Sequence, residues 1–219
     1  MARQKFKPRF SMRKCGVFAI TLSTVYKFLN KHNNVMEGFN ELVYQIRRIF
    51  KSLKEVGKSK NYLYKAEFYV VSTIGNNGEL LPPHIHGLIF CDCREVINYL
   101  AEKWKKYKLG YGWFITTSSG HKKCGNVHVQ PIDDFRKYNR QYGVDGWLSY
   151  CRHQKGKVIS MLVNGRKKRL VKRITACSTN GYDYLKSMNW KEFLKLETTF
   201  RKGCSYSNLH SFCMNIRRT

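Results

Sequence analysis

His84-Ile85-His86 is the segment of this chain best suited to chemistry. In an extended strand, residues i and i+2 project from one face, so both imidazoles point one way while Ile85 points into the other layer. Two neutral nitrogen ligands at fixed separation on a rigid element are half of a metal site. Glu67 is the expected third ligand, sharing its parity with Tyr69 and Val71 in the preceding apolar run. If the two runs form a hairpin, the carboxylate meets the imidazoles across it. A carboxylate with two histidines and open positions suits a divalent ion. The competing reading leaves His84 and His86 as polar residues on a solvated sheet face. A second set, His121-x2-Cys124-x3-His128, is a weaker ligand pattern, and Cys91-x-Cys93 is too closely spaced for a structural zinc knuckle.

Positioning these side chains requires a sheet and something to pack on it. Gly16 to Ser23 is rich in β-branched and aromatic residues and reads as a buried strand. Glu67 to Ser72 and His84 to Phe90 are strands separated by the Gly75-Asn76-Asn77-Gly78 break and Pro82-Pro83. Asn126 to Gln130 is a short strand. Apolar residues at three- and four-residue steps predict helices over about 38–55, Asp92 to Tyr107, Asp145 to Gln154 and 190–201. Val158 to Val171 holds two short apolar runs around Asn164-Gly165, a two-residue hairpin signal. The order predicts an α+β fold with a mostly antiparallel central sheet of about five strands and helices packed on one face. Glycine-rich phosphate-loop motifs are absent, so neither a dinucleotide fold nor a nucleoside triphosphatase is indicated.

Three segments occur in an order that resembles the HUH endonuclease superfamily, in particular rolling-circle replication initiators of plasmids and small phages. Phe18-Ala19-Ile20-Thr21-Leu22 resembles the first family motif, and Pro83-His84-Ile85-His86-Gly87-Leu88-Ile89-Phe90 the second, the metal motif. Val127-His128-Val129-Gln130-Pro131 leads on to Gly146-Trp147-Leu148-Ser149-Tyr150, which resembles the third, a helix carrying a nucleophilic tyrosine. The match covers about residues 16–157. It implies a nuclease domain over 15–157; the charge run marks a basic arm at 1–14, and 158–219 reads as a basic hairpin with a helical extension packed on the same domain.

The resemblance further implies Mg2+ or Mn2+ held by His84, His86 and Glu67, with Tyr150 attacking single-stranded DNA to give a covalent 5′-phosphotyrosine. Tyr142 and Tyr138 are rival nucleophiles. The family tyrosine is usually followed by Lys three or four residues on; here His153 and Gln154 hold those positions, and Lys155 is one further. Either His153 replaces that polar partner or the helix is placed differently. An origin or hairpin DNA and host replication helicase or polymerase are the implied partners. A single-tyrosine transposase or small relaxase is the alternative within this chemistry, and a non-catalytic basic nucleic-acid-binding module the alternative outside it.

Charge fits a polyanion partner. The 219 residues carry 41 Lys and Arg against 14 Asp and Glu, a formal net charge of +27. At 42% hydrophobic and 14% aromatic the chain is too apolar to be disordered. It has no apolar run long enough to span a membrane and no signal peptide, and its eight scattered cysteines suggest reduced thiols in a cytoplasm. Three stretches are candidate phosphate contacts: the arm at 1–14, the run Lys103 to Lys108, and Arg166, Lys167, Lys168, Arg169, Lys172 and Arg173 around the Asn164-Gly165 turn. Tyr107, Tyr111, Trp113 and Phe114 are either base-stacking or core residues.

Overall fold

The β-branched and aromatic run Gly16–Ser23 forms β1, the middle of a six-stranded sheet. The computed structural model describes residues 16–25, 28, 31–60, 62–110, 112–113, 126–132, 143–178 and 186–201. The arm at 1–14, Tyr111, Phe114, His121, Cys124, Tyr138, Tyr142 and the tail from Gly203 lie outside them.

Helix α1 (Val35–Lys60) follows β1. Its start is set by Asn34, whose Oδ1 accepts the Glu37 amide at 2.9 Å while Glu37 Oε2 accepts the Asn33 amide at 3.0 Å, a reciprocal cap that adds a turn to the expected helix. Then come β2 (Tyr64–Val71), β3 (His84–Cys91), α2 (Arg94–Lys106), the two-residue β4 (Gly112–Trp113) and β5 (Asn126–Pro131). Helix α3 (Val144–His153) precedes β6 (Ser160–Val163), β7 (Arg166–Arg169) and β8 (Val171–Cys177), and α4 (Trp190–Arg201) ends the described chain.

The sheet order is β4-β5-β1-β3-β2-β8. Five strands are mutually antiparallel and only β4 joins in parallel, at the edge. The expected α+β fold is therefore present. The expectation of helices on one face is corrected: α1 and α2 cover the face of Phe18, Ile20, Leu22, Phe68 and Ile85, while α3 and α4 cover the face of Val17, Ala19, Tyr69, Leu88 and Phe90. The reason is in β3, where Leu88, Ile89 and Phe90 are all fully buried. Consecutive apolar residues point to alternate faces, so both faces need a cover.

Asn164 and Gly165 both have positive φ, 49° and 73°, which gives β6 and β7 the expected two-residue hairpin. That hairpin is a separate two-stranded sheet rooted where Ser72 and Leu170 exchange main-chain bonds with Ile159. It springs from the end of the main sheet at which Val71 pairs with His84 and with Val171. Among the described residues, no helix is long and apolar enough to cross a membrane.

Candidate active site

One row of side chains crosses five strands. His86 on β3 pairs with Thr21 on β1 and Tyr69 on β2; His128 on β5 lies beyond Thr21, and Arg173 on β8 lies beyond Tyr69. His84 stands one same-face step away, opposite Ser23 and Val71. The imidazoles of His84 and His86 are 4.9 Å apart between centroids and nearly perpendicular. His84 Nδ1 lies 3.1 Å from the Pro82 carbonyl, which can only accept, so Nδ1 carries the proton and Nε2 the lone pair. His86 Nδ1 is hydrogen-bonded to Thr21 Oγ1 at 2.9 Å. Thr24 Oγ1 donates to the Pro83 carbonyl at 2.6 Å and fixes the Pro-Pro segment that leads into the pair.

Burial lowers the pKa of both rings, and for His86 the neighbouring His84 and His128 lower it further. Both are thus held neutral, the state that ligates metals. The pair offers two oriented nitrogen donors: each Nδ1 is anchored by a partner, and neither Nε2 has a hydrogen bond among the described residues. Among the described residues no group of three or more His, Cys, Asp or Glu side chains is placed to hold a metal ion. The donor set is two imidazoles; His128 lies in the same row beyond Thr21, two strands from His86.

Helix α3 brings Tyr150 to this pair. Trp147 Nε1 donates to the Gly87 carbonyl at 2.8 Å, which pins the helix to β3 between the histidine pair and its apolar continuation. Gly87 itself admits no side chain, because a Cβ there would lie 2.2 Å from the Glu67 carbonyl oxygen. The Trp147 and Tyr150 rings, three residues apart on one helix face, stack at 5.2 Å. Tyr150 in turn meets His86 edge-on at 5.4 Å between centroids, and Trp147 meets it at 5.7 Å. Cys151, on the same side, is buried, and its thiol pKa is pushed up by burial and by Glu67. His153 is the last residue of α3 and is exposed; Gln154 turns left-handed (φ 45°) and ends the helix before exposed Lys155. The rivals Tyr138 and Tyr142 lie outside the described residues.

Glu67 is on the expected face but not in the expected place. The register sets it opposite Leu88, and Tyr69 takes the position across from His86. Its carboxylate is already engaged: Tyr69 Oη donates to Oε1 at 2.5 Å, Trp190 Nε1 to Oε2 at 3.0 Å, and Arg173 Nε lies 2.9 Å from Oε1. Arg152 reaches the same oxygen at 3.8 Å and donates to Tyr69 Oη at 2.8 Å. Burial alone raises the Glu67 pKa, but the bonds from Tyr69, Trp190 and Arg173 outweigh it and hold the carboxyl below its usual range. Glu67 is therefore a hub that ties α3, α4 and β8 to β2. Thr21, Tyr69 and Arg152 are the site neighbours that residue type and spacing did not single out.

The basic candidates separate in space. Arg166, Lys167, Lys168 and Arg169 are all exposed on β7 of the hairpin. Lys172 and Arg173 are on β8 in the main sheet, with Arg173 turned to Glu67. In the run on α2, Trp104 is fully buried and donates to the Ser23 carbonyl, and Tyr107 lies under the Arg48 guanidinium at 4.8 Å. Both are packing residues, on the face opposite the histidine pair. No family model, curated protein or solved structure matches this chain.

Proposed function

We propose that the chain is a tyrosine-nucleophile DNA endonuclease and strand transferase that nicks single-stranded DNA and initiates rolling-circle replication. The observation that carries this reading is the meeting of Tyr150 with the His84/His86 pair, 5.4 Å from the His86 ring on a helix fastened to the same strand. A non-catalytic binding module has no use for two neutral, anchored imidazoles facing a tyrosine. The resemblance of the three motifs to rolling-circle initiators supports the same chemistry.

A divalent ion such as Mg2+ or Mn2+ held at His84 and His86 would neutralise a non-bridging phosphate oxygen. The protein supplies the rest. Thr21 and the Pro82 carbonyl orient the two imidazoles. Tyr150 Oη forms a bond to phosphorus as the P–O3′ bond breaks, so the enzyme keeps the 5′ phosphate and the DNA keeps a 3′ hydroxyl for a polymerase. His153, three residues on along α3, is the neighbouring base for the phenolic proton.

The test is a nicking assay on single-stranded oligonucleotides with and without Mg2+ or Mn2+, read on a denaturing gel for the covalent adduct. Cleavage and adduct are expected only with metal, and both should vanish in His84→Ala and His86→Ala. A metal-independent adduct, or none with any sequence in a randomised library, defeats the proposal.

A further inference from the structure

At the β2–β8 edge the chain has an open cavity of about 1170 Å³, lined from one sheet face by α1 and from the other by α3 and the segment leading into α4. Glu67 lies on its lining and fixes two guanidiniums there, Arg173 and Arg152. Both arginine side chains are about half exposed, at 57% and 50%. A guanidinium has five N–H donors in a rigid fork, and Glu67 and Tyr69 occupy only part of each. No further partner among the described residues takes the rest. The carboxylate thus orients two forks and leaves donors facing the cavity.

The walls add Lys51 and Lys54 from α1 and Lys186 and Lys191 around the start of α4. Lys65 also lines it, but its ammonium is spent on the carbonyls of Lys186 and Met188, where it anchors this segment. The two lining carboxylates are neutralised from within, Glu67 by the arginines and Asp145 by Lys191 at 3.1 Å. A concave surface with this excess of cations concentrates anions. Its volume exceeds the roughly 300–1,000 Å³ of ordinary small-molecule sites, which favours an extended ligand over one phosphate group. Arg152 and Tyr150 share α3, with Arg152 on the cavity lining and the Tyr150 ring turned to His86.

We propose that this cavity is a groove for the phosphodiester backbone of single-stranded nucleic acid, with Arg152 and Arg173 as its oriented phosphate donors and Lys51, Lys54 and Lys186 as its electrostatic wall. The choice of a strand as occupant rests on the nicking function proposed above; the convergence of cations does not. The groove holds the strand beside the site, and affinity there is independent of metal and of the tyrosine hydroxyl.

The test uses the full chain with Tyr150→Phe, in EDTA, and fluorescence anisotropy with a labelled oligothymidine of about 12 nucleotides, within the usual footprint of single-strand binders. Lys51→Gln/Lys54→Gln/Lys186→Gln changes exposed side chains only. It should weaken binding and flatten the log-affinity against log-salt slope by about 2, at about 0.7 per lost phosphate contact on single strands. Circular dichroism checks the fold; should the triple variant not fold, Lys51→Gln/Lys54→Gln on α1 should flatten the slope by about 1.4. An unchanged slope and affinity overturns the groove, as does complete displacement of the oligonucleotide by low-millimolar inorganic phosphate, which would mark a small-anion site. A wild-type chain that binds through this groove but never forms an adduct refutes the nicking function alone.

Discussion

At Tyr150 the decisive atom is the hydroxyl oxygen. Its ring stacks on Trp147 and meets His86 edge-on, contacts that phenylalanine retains. Tyr150→Phe should therefore abolish the covalent adduct while changing stability by less than about 1 kcal/mol and leaving oligonucleotide affinity intact. An adduct formed by this variant would move the nucleophile elsewhere. Glu67 calls for a different expectation from the metal-ligand role implied by the sequence. Removing it strands the Trp190 N–H and the Tyr69 hydroxyl in a buried setting, so Glu67→Ala should cost about 1–3 kcal/mol in denaturant unfolding. Metal affinity should change little, which isothermal titration of Mn2+ against both proteins measures. The pH dependence follows from the sign of the shift. The folded pKa of Glu67 lies below its unfolded value. Its contribution is full above the unfolded carboxylate value and is lost as pH falls through the lowered folded pKa. Melting curves of wild type and Glu67→Gln should therefore differ most at neutral pH and converge on acidification. Curves that stay parallel down to the acid limit would remove the hub role.

The elements carrying the site were largely legible, and the exceptions have physical causes. His84 and His86 sit on one face of β3 because strand parity dictates it, and the hairpin turn at Asn164-Gly165 needs two positive-φ residues. Parity, however, does not set register. The connection from Ser72 to Pro83 leaves the β2–β3 offset open, and the pairing puts Tyr69, two residues from Glu67, across from His86. β8 was hidden because it is an edge strand with Lys172 and Arg173 exposed and Ile174 buried, a pattern too polar to read as part of a sheet. The extra turn of α1 was readable from the Asn34-x-x-Glu37 spacing, the same cap that starts α4 at Asn189 and Glu192. Gly87 links element to site most sharply. A Cβ there would also lie 2.6 Å from the Phe68 ring and 2.8 Å from its Cα, and main chain cannot yield cheaply. Gly87→Ala should cost about 1–3 kcal/mol and lower the melting temperature by about 2–4 °C per kcal/mol. Because the Gly87 carbonyl also holds Trp147, the same variant should lose nicking beyond its loss of folded protein. Nicking that scales only with the folded fraction would mean that Trp147 docking is not what places Tyr150.

For the whole molecule, the +27 charge is divided among spatially separate surfaces. The lysines of α2 lie on the cover of the opposite face, away from the histidine pair. Arg173 and Arg152 are oriented by Glu67 toward the cavity. Among the described residues the hairpin is the one basic element that forms a separate sheet, with four consecutive exposed cations on β7 and an exposed Leu162 on β6 facing Lys167. A two-stranded ribbon of this size can enter a major groove, and it rises from the His84 end of the sheet. Its four charges should supply affinity and leave the chemistry alone. Changing Arg166, Lys167, Lys168 and Arg169 to Gln removes about four phosphate contacts, so the slope of log affinity against log salt should flatten by about 3–4 on a stem-containing DNA. Nicking at saturating DNA should survive, since His84, His86 and Tyr150 are untouched. Hairpin and groove variants should also differ in substrate. The hairpin variant should lose more on DNA with a duplex stem, and the groove variant more on unstructured oligothymidine. Loss of nicking in the hairpin variant with an unchanged salt slope would place the hairpin in the active site instead.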